Sequence, residues 1–158
     1  MPSIDDASVA VALGANRPSA VGSPRETLLA VRPLLEELFG GWAAQDLRFC
    51  WSQLLETEPI GPIQQPDFVN AVVLVKGLRV VPSERLALDL LQRLHGLERR
   101  FGRERSQEQR WGPRSLDLDL LFWGELRLDH PQLILPHPRM HLRTFVLEPL
   151  LQAMQQRP

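Results

Sequence analysis

Asp117 and Asp119 stand at alternate positions in the run Leu116-Asp117-Leu118-Asp119-Leu120-Leu121-Phe122, directly after a bend-forming stretch that carries Arg110 and Arg114 around Gly112-Pro113. Carboxylates two residues apart on a strand leave the same face, about 6.5–7 Å apart at Cα, close enough to share or bridge hard cations such as Mg²⁺. Side by side and without a cation they would repel. Aspartate is also a poor strand former, so two of them inside a leucine run oppose local propensity, a conflict typical of functional sites. On spacing alone the alternative is an exposed strand face whose aspartates are simply solvated. Arg103, Arg105, Arg110, Arg114 and Arg143 could supply planar, permanently charged donors for phosphate oxygens. Neither a GxxxxGK[ST] loop nor a GxGxxG loop occurs, so phosphates would have to be neutralised by metal and arginine.

These residues need elements to position them. The alternation over Leu116–Leu120 predicts a strand, extending to Phe122, with Leu116, Leu118 and Leu120 entering a core. A short partner strand is expected over Leu126–Leu128, after a turn at Gly124-Glu125. Upstream, Val9–Leu13 is an apolar strand entering a turn at Gly14-Ala15-Asn16. Ser23-Pro24-Arg25-Glu26 opens a helix as cap, first-turn proline and capping box, with Leu28, Val31, Leu35 and Leu38 as its apolar face and Gly40-Gly41 as its end. Strands follow from Leu47 to about Leu55 and from Phe68 to about Val75. The loop between them, stiffened by Pro59, Pro62 and Pro66, could close over a ligand. A long helix starts at Pro82 and carries the stripe Leu86, Leu90, Leu94, Leu97, Phe101 up to Gly102. A last helix is expected over Thr144–Met154 despite Pro149. Strand, helix, strand, strand, helix, strand is the split βαβ order of a ferredoxin-like α+β sandwich, here with an added β-hairpin and a C-terminal helical segment.

Composition bounds the rest. A chain of 158 residues fits a single domain, 1–158, with a core of its own. Its net charge of -1 gives no bulk attraction to nucleic acid or to an anionic membrane. No apolar run approaches the roughly 20 residues that cross a bilayer. The lone cysteine, Cys50, lies between Phe49 and Trp51 as a core thiol, and the acidic start Met1–Ala7 is unlike a secretory signal, which together point to the cytoplasm.

Arg110-Trp111-Gly112-Pro113-Arg114-Ser115-Leu116-Asp117-Leu118-Asp119 resembles the hallmark of the 6-hydroxymethyl-7,8-dihydropterin pyrophosphokinase family, departing from it by Ser115 for threonine. Further matches follow in family order: Leu13-Gly14-Ala15-Asn16, Glu58-Pro59-Ile60-Gly61-Pro62, Gln65-Pro66-Asp67-Phe68-Val69-Asn70, Pro136-His137-Pro138-Arg139-Met140, then Arg143 and Phe145. A short Asp-x-Asp match can arise by chance, whereas ordered agreement across nearly the whole chain does not. The resemblance implies a transfer of pyrophosphate from ATP to a pterin alcohol, with two Mg²⁺ ions on Asp117 and Asp119. It implies that Arg103 and Arg114 engage the reacting phosphates and that Glu98, Arg105, Arg110, Arg114, His137 and Arg143 serve ATP. Phe68 and Phe145 would stack on the pterin and Asn70 would read its edge. Thr57, Pro59 and Ile60 would line its pocket, and Trp111 would close over it. The implied partners are small molecules alone, neither nucleic acid nor membrane, and the implied form is a monomer. The family's frequent lysine in the arginine loop is replaced here by Ser106-Gln107, with an extra residue before Arg110.

Two rivals compete. An RNA-binding module would suit a ferredoxin-like sheet and the six arginines of residues 99–114, but the aromatic RNA-stacking motif is missing and the chain is overall acidic. A catalytically silent relative is opposed by the intact Asp117, Asp119, Arg103 and Arg114.

Overall fold

The computed structural model describes residues 7–43, 46–59, 61–103, 113–138 and 144–156, apart from the side chains of residues 144 and 145. An antiparallel sheet is flanked by three helices in an α+β arrangement. Its strands run in the order β2 (Arg48–Trp51), β4 (Phe68–Lys76), β1 (Val9–Ala15), β5 (Asp117–Trp123), with β3 (Leu55–Thr57) also paired to β4.

Helix α1 (Pro24–Trp42) begins as its sequence predicts. Ser23 caps it, and Ser23 and Glu26 exchange the reciprocal bonds of a capping box. Thr27, Leu28, Val31, Leu35 and Phe39 form its buried face. The helix does not stop at Gly40-Gly41. It continues to Trp42, whose ring packs edge-on against Phe39 at 5.8 Å and Trp123 at 5.1 Å. Aromatic packing outweighs the weak helix propensity of two glycines, and a Cβ on Gly40 would meet nothing.

Helix α2 (Glu84–Arg100) is capped by Ser83 and buries Ala87, Leu90, Leu91, Leu94 and Leu97; Leu86, expected in the stripe, is half-buried. Its C-terminus is a Schellman motif. Gly102 N–H donates to Arg99 O at 3.0 Å and Arg103 N–H to Glu98 O at 3.2 Å, with Gly102 at φ +88°.

Both helices lie on one sheet face, over a core that includes Val11, Leu13, Val73, Val75, Leu118, Leu120 and Trp123. The opposite face is half covered by α3 (Thr144–Gln155). There Val146, Leu150 and Ala153 pack on Ala10, Cys50, Val72, Leu74 and Leu121. A bulge sets the division along β5: Val11 pairs Leu120 and Ala10 pairs Phe122, which leaves Leu121 as the extra residue.

Two further expectations fail for identifiable reasons. The strand expected from Leu47 to Leu55 is broken into β2 and β3 at Ser52. That side chain turns inward, and its hydroxyl accepts from Val72 N–H at 2.9 Å, taking a place in the ladder that a backbone carbonyl would otherwise fill. After Gly124 (φ +53°) the chain does not fold back on β5 over Leu126–Leu128. Gly124 N–H donates to Ser8 O at 2.8 Å, which leads the chain away, and the hairpin forms between β6 (Leu128–His130) and β7 (Leu133–Leu135).

Candidate active site

Registers across the sheet place residues far apart in sequence in two straight rows on the face that α3 partly covers. Leu55, Asn70, Gly14 and Asp117 form one row; Val72, Ala12 and Asp119 form the next. Asp117 and Asp119 are partly exposed on this side while Leu116, Leu118 and Leu120 are buried in the core on the other. The alternation read from the sequence is therefore the alternation of the strand. Gly14 and Ala12 put almost nothing between Asn70 and the two carboxylates, so the rows enclose a shallow floor. The space is limited at one end, since a Cβ on Gly14 would lie 3.2 Å from Asn70 Oδ1 and 3.8 Å from a ring carbon of Phe68.

Asp117 receives two guanidiniums. Arg103 Nη1 donates to its Oδ1 at 2.6 Å, and Arg114 Nη1 donates to its Oδ2 at 3.2 Å. The repulsion expected between neighbouring carboxylates is thus met by arginine. Arg103 is nearly inaccessible, 2% exposed, and the same Nη1 donates to Glu98 Oε2 at 2.8 Å and to the carbonyl of Leu116 at 3.2 Å. A buried guanidinium needs such anions, because leaving its charge uncompensated would be strongly unfavourable. Glu98, 1% exposed, also accepts from Leu118 N–H at 2.8 Å.

Arg114 is held through its backbone. Its N–H donates to Asn16 Oδ1 at 2.9 Å, and its carbonyl accepts from Asn16 N–H at 3.0 Å and Arg17 N–H at 3.2 Å. The Asn16 amide group then donates to Gln65 Oε1 and to Pro66 O, both at 2.9 Å. One buried side chain therefore joins the turn after β1, the loop before β4 and the stretch entering β5. Sequence reading found Asn16 and Gln65 only as motif letters. The available signal was a carboxamide at the end of an apolar strand, a position where its bonds serve the local backbone.

On the far side of the floor, Asn70 Nδ2 donates to Thr57 Oγ1 at 2.6 Å and to Leu55 O at 3.3 Å. Phe68, Thr57 and Pro59 are half-buried along the same edge. His137 is anchored by its N–H on Leu121 O at 2.7 Å, which sets it beside β5 just past Asp119. Ile60, Arg105, Arg110, Trp111 and Arg143, and the side chain of Phe145, lie outside the described residues. Ser115 is buried, and its Oγ has no hydrogen-bond partner among the described residues.

The donor set fits a hard cation. Two carboxylates share one face, and since each carboxylate oxygen can accept twice, Asp117 can bond two guanidiniums and still offer lone pairs. Phosphate, metal and a flat hydrogen-bonding ligand are the chemistries these rows accommodate.

Comparison with known proteins agrees. Residues 10–155 match the family described as 7,8-dihydro-6-hydroxymethylpterin-pyrophosphokinase. The 2-amino-4-hydroxy-6-hydroxymethyldihydropteridine pyrophosphokinase of Pseudomonas aeruginosa is 40% identical over 142 residues, which are 90% of this chain and 77% of that protein. Its namesake from Haemophilus influenzae is 34% identical over 142 residues, 90% of this chain and 78% of the relative. The Bacillus subtilis protein of the same name is 40% identical over 105 residues, 66% of this chain and 58% of its own length. With the match running from the first strand through the last helix, and with the arginine-aspartate cluster within it, the chain belongs to the 7,8-dihydro-6-hydroxymethylpterin-pyrophosphokinase family.

Proposed function

We propose that this chain transfers pyrophosphate from ATP to 6-hydroxymethyl-7,8-dihydropterin, giving AMP and the dihydropterin methyl diphosphate, a step of folate biosynthesis. The observation that carries the reading is the Asn70–Gly14–Asp117 row. It sets a carboxamide suited to a pterin edge opposite a carboxylate–arginine cluster suited to phosphate, across a floor with no side chain. The hydroxymethyl oxygen forms a bond to the β-phosphorus of ATP while the bond from that phosphorus to the α–β bridging oxygen breaks, and AMP leaves. Such a transfer is mostly positioning and charge stabilisation.

Asp117 and Asp119 would hold two Mg²⁺ ions, which supply positive charge against the triphosphate and ease loss of the alcohol proton. Arg103 and Arg114, already directed at Asp117, stabilise charge on the reacting phosphates, and His137, anchored beside β5, takes its ATP role from the family motif. Phe68 and Asn70, with Thr57 and Pro59, form the pterin side. Ile60, Arg105, Arg110, Trp111, Arg143 and Phe145 take their assigned roles from the family motif. The strand order β2-β4-β1-β5, with α1 and α2 on one face, supports a ferredoxin-like βαββαβ sandwich with an added hairpin and C-terminal helix.

Net charge of -1 and the absence, among the described residues, of any helix long and apolar enough to cross a membrane favour small molecules as the partners. The buried free thiol of Cys50 and the use of ATP favour a cytoplasmic place of action. The test is AMP release from ATP and Mg²⁺ with and without the pterin alcohol. Pterin-dependent AMP is expected; AMP no higher than the pterin-free control would refute the reading.

A further inference from the structure

Among the described residues β5 is an edge strand, with β1 on one side only, so the backbone groups on its outer side have no strand partner there. Around Asp117 those groups are nevertheless closed. Leu118 N–H donates to Glu98 Oε2 at 2.8 Å, and Leu116 C=O accepts from Arg103 Nη1 at 3.2 Å. Glu98 and Arg103 are themselves joined at 2.8 Å. The ion pair thus replaces a missing strand at the two residues that flank Asp117. Arg103 is delivered to this place by the end of α2, where its N–H closes the Schellman motif on the carbonyl of Glu98. Side chain and main chain of Glu98 therefore both hold Arg103.

We propose that Glu98 is a positioning residue for the transfer rather than a nucleotide contact. Its role is to fix the backbone on which Asp117 rides and to share the charge of Arg103. The second part bears on turnover. Arg103 divides one guanidinium nitrogen between Glu98 and Asp117; with Glu98 neutral, its remaining carboxylate partner among these is Asp117, which must also serve a cation. Arg103 then competes for Asp117 instead of turning to phosphate. This inference rests on the proposed pyrophosphate transfer.

Two variants separate the two jobs. Glu98→Gln keeps an acceptor for Leu118 N–H but loses the charge, whereas Glu98→Ala loses both. In Glu98→Gln, kcat is expected to fall by about 10–100-fold, the range for groups that support metal ligands, with KM for ATP nearly unchanged. The Leu118 amide, followed by hydrogen exchange, stays protected in Glu98→Gln and becomes fast in Glu98→Ala. A rise in the dissociation constant for a non-hydrolysable ATP analogue matching the fall in kcat would identify a nucleotide contact and overturn the proposal. Should neither variant fold, the wild-type chain still decides. Its Leu118 amide must be protected before any nucleotide or metal is added, and protection that arises only with Mg²⁺ and nucleotide would overturn it. Pterin-dependent AMP release by the wild type tests the parent reading separately, since exchange at Leu118 does not depend on which substrate the site takes.

Discussion

Replacing Asp117 by asparagine should separate activity from stability. Asparagine has the same shape, but one oxygen becomes an amide donor that faces one of two guanidinium donors. Arg114 is the partner that can withdraw, being 27% exposed and 3.2 Å away, whereas Arg103 is 2% exposed and held from three directions. The remaining oxygen therefore stays with Arg103, and the bond to Arg114 is lost. A hydrogen bond to a charged group contributes about 1.5–3 kcal/mol, and partial exposure puts this one at the low end, near ~1–2 kcal/mol. Arg103 retains Glu98, so no buried charge is stranded and the larger loss of about 3–5 kcal/mol for breaking a buried pair does not arise. Against a typical stability of about 5–15 kcal/mol the variant folds. With a urea slope of about 2 kcal/mol/M its midpoint falls by roughly 0.5–1 M. Turnover should fall much further, by at least about 10²–10³, because the anionic ligand that would hold Mg²⁺ against the phosphates is removed. Urea unfolding followed by tryptophan fluorescence, with AMP release at saturating substrates, measures both. Activity within tenfold of wild type would refute the role of Asp117, and an unfolded variant would mean that the carboxylate is structural.

Gly14→Ala places a methyl group 3.2 Å from Asn70 Oδ1, and should raise KM for the pterin by about tenfold while KM for ATP changes little; equal changes in both would remove Gly14 from the pterin side. Asn16→Ala deletes three bonds linking Arg114, Gln65 and Pro66, and at about 1 kcal/mol each should lower stability by about 2–4 kcal/mol in chemical denaturation, with a fall in kcat. Glu26 has its pKa held below 4.5, first by the Ser23 backbone N–H and then by the Ser23 hydroxyl. A depressed carboxylate contributes stability above its unfolded pKa and loses it as pH falls through the folded value. Thermal midpoints of wild type should therefore decline more steeply than those of Glu26→Gln below about pH 4.5, and parallel curves would show that the capping box contributes nothing there.

Local rules were readable where one segment carries its own reason. The α1 cap needs only Ser23, Pro24 and Glu26, and the face of α2 needs only its leucine spacing. The Asp-x-Asp strand declared itself because period two is a property of five consecutive residues, Leu116–Leu120. Errors arose where distant groups intervened. Ser52 broke its strand by bonding to Val72, twenty residues on, and Trp42 extended α1 by packing on Trp123. Glu98, an ordinary helical glutamate in the sequence, became buried through Leu118 and Arg103.

By itself the sequence determined which residues carry charge, which side of β5 each aspartate takes, and where α1 begins, since caps and periodicity act over a few neighbouring residues. Tertiary structure alone decided that Asn70, Gly14 and Asp117 share a row, that Asn16 joins three loops, and that Arg103 reaches Asp117 under the hold of Glu98. Those depend on strand register and burial, which are set by packing between segments tens of residues apart.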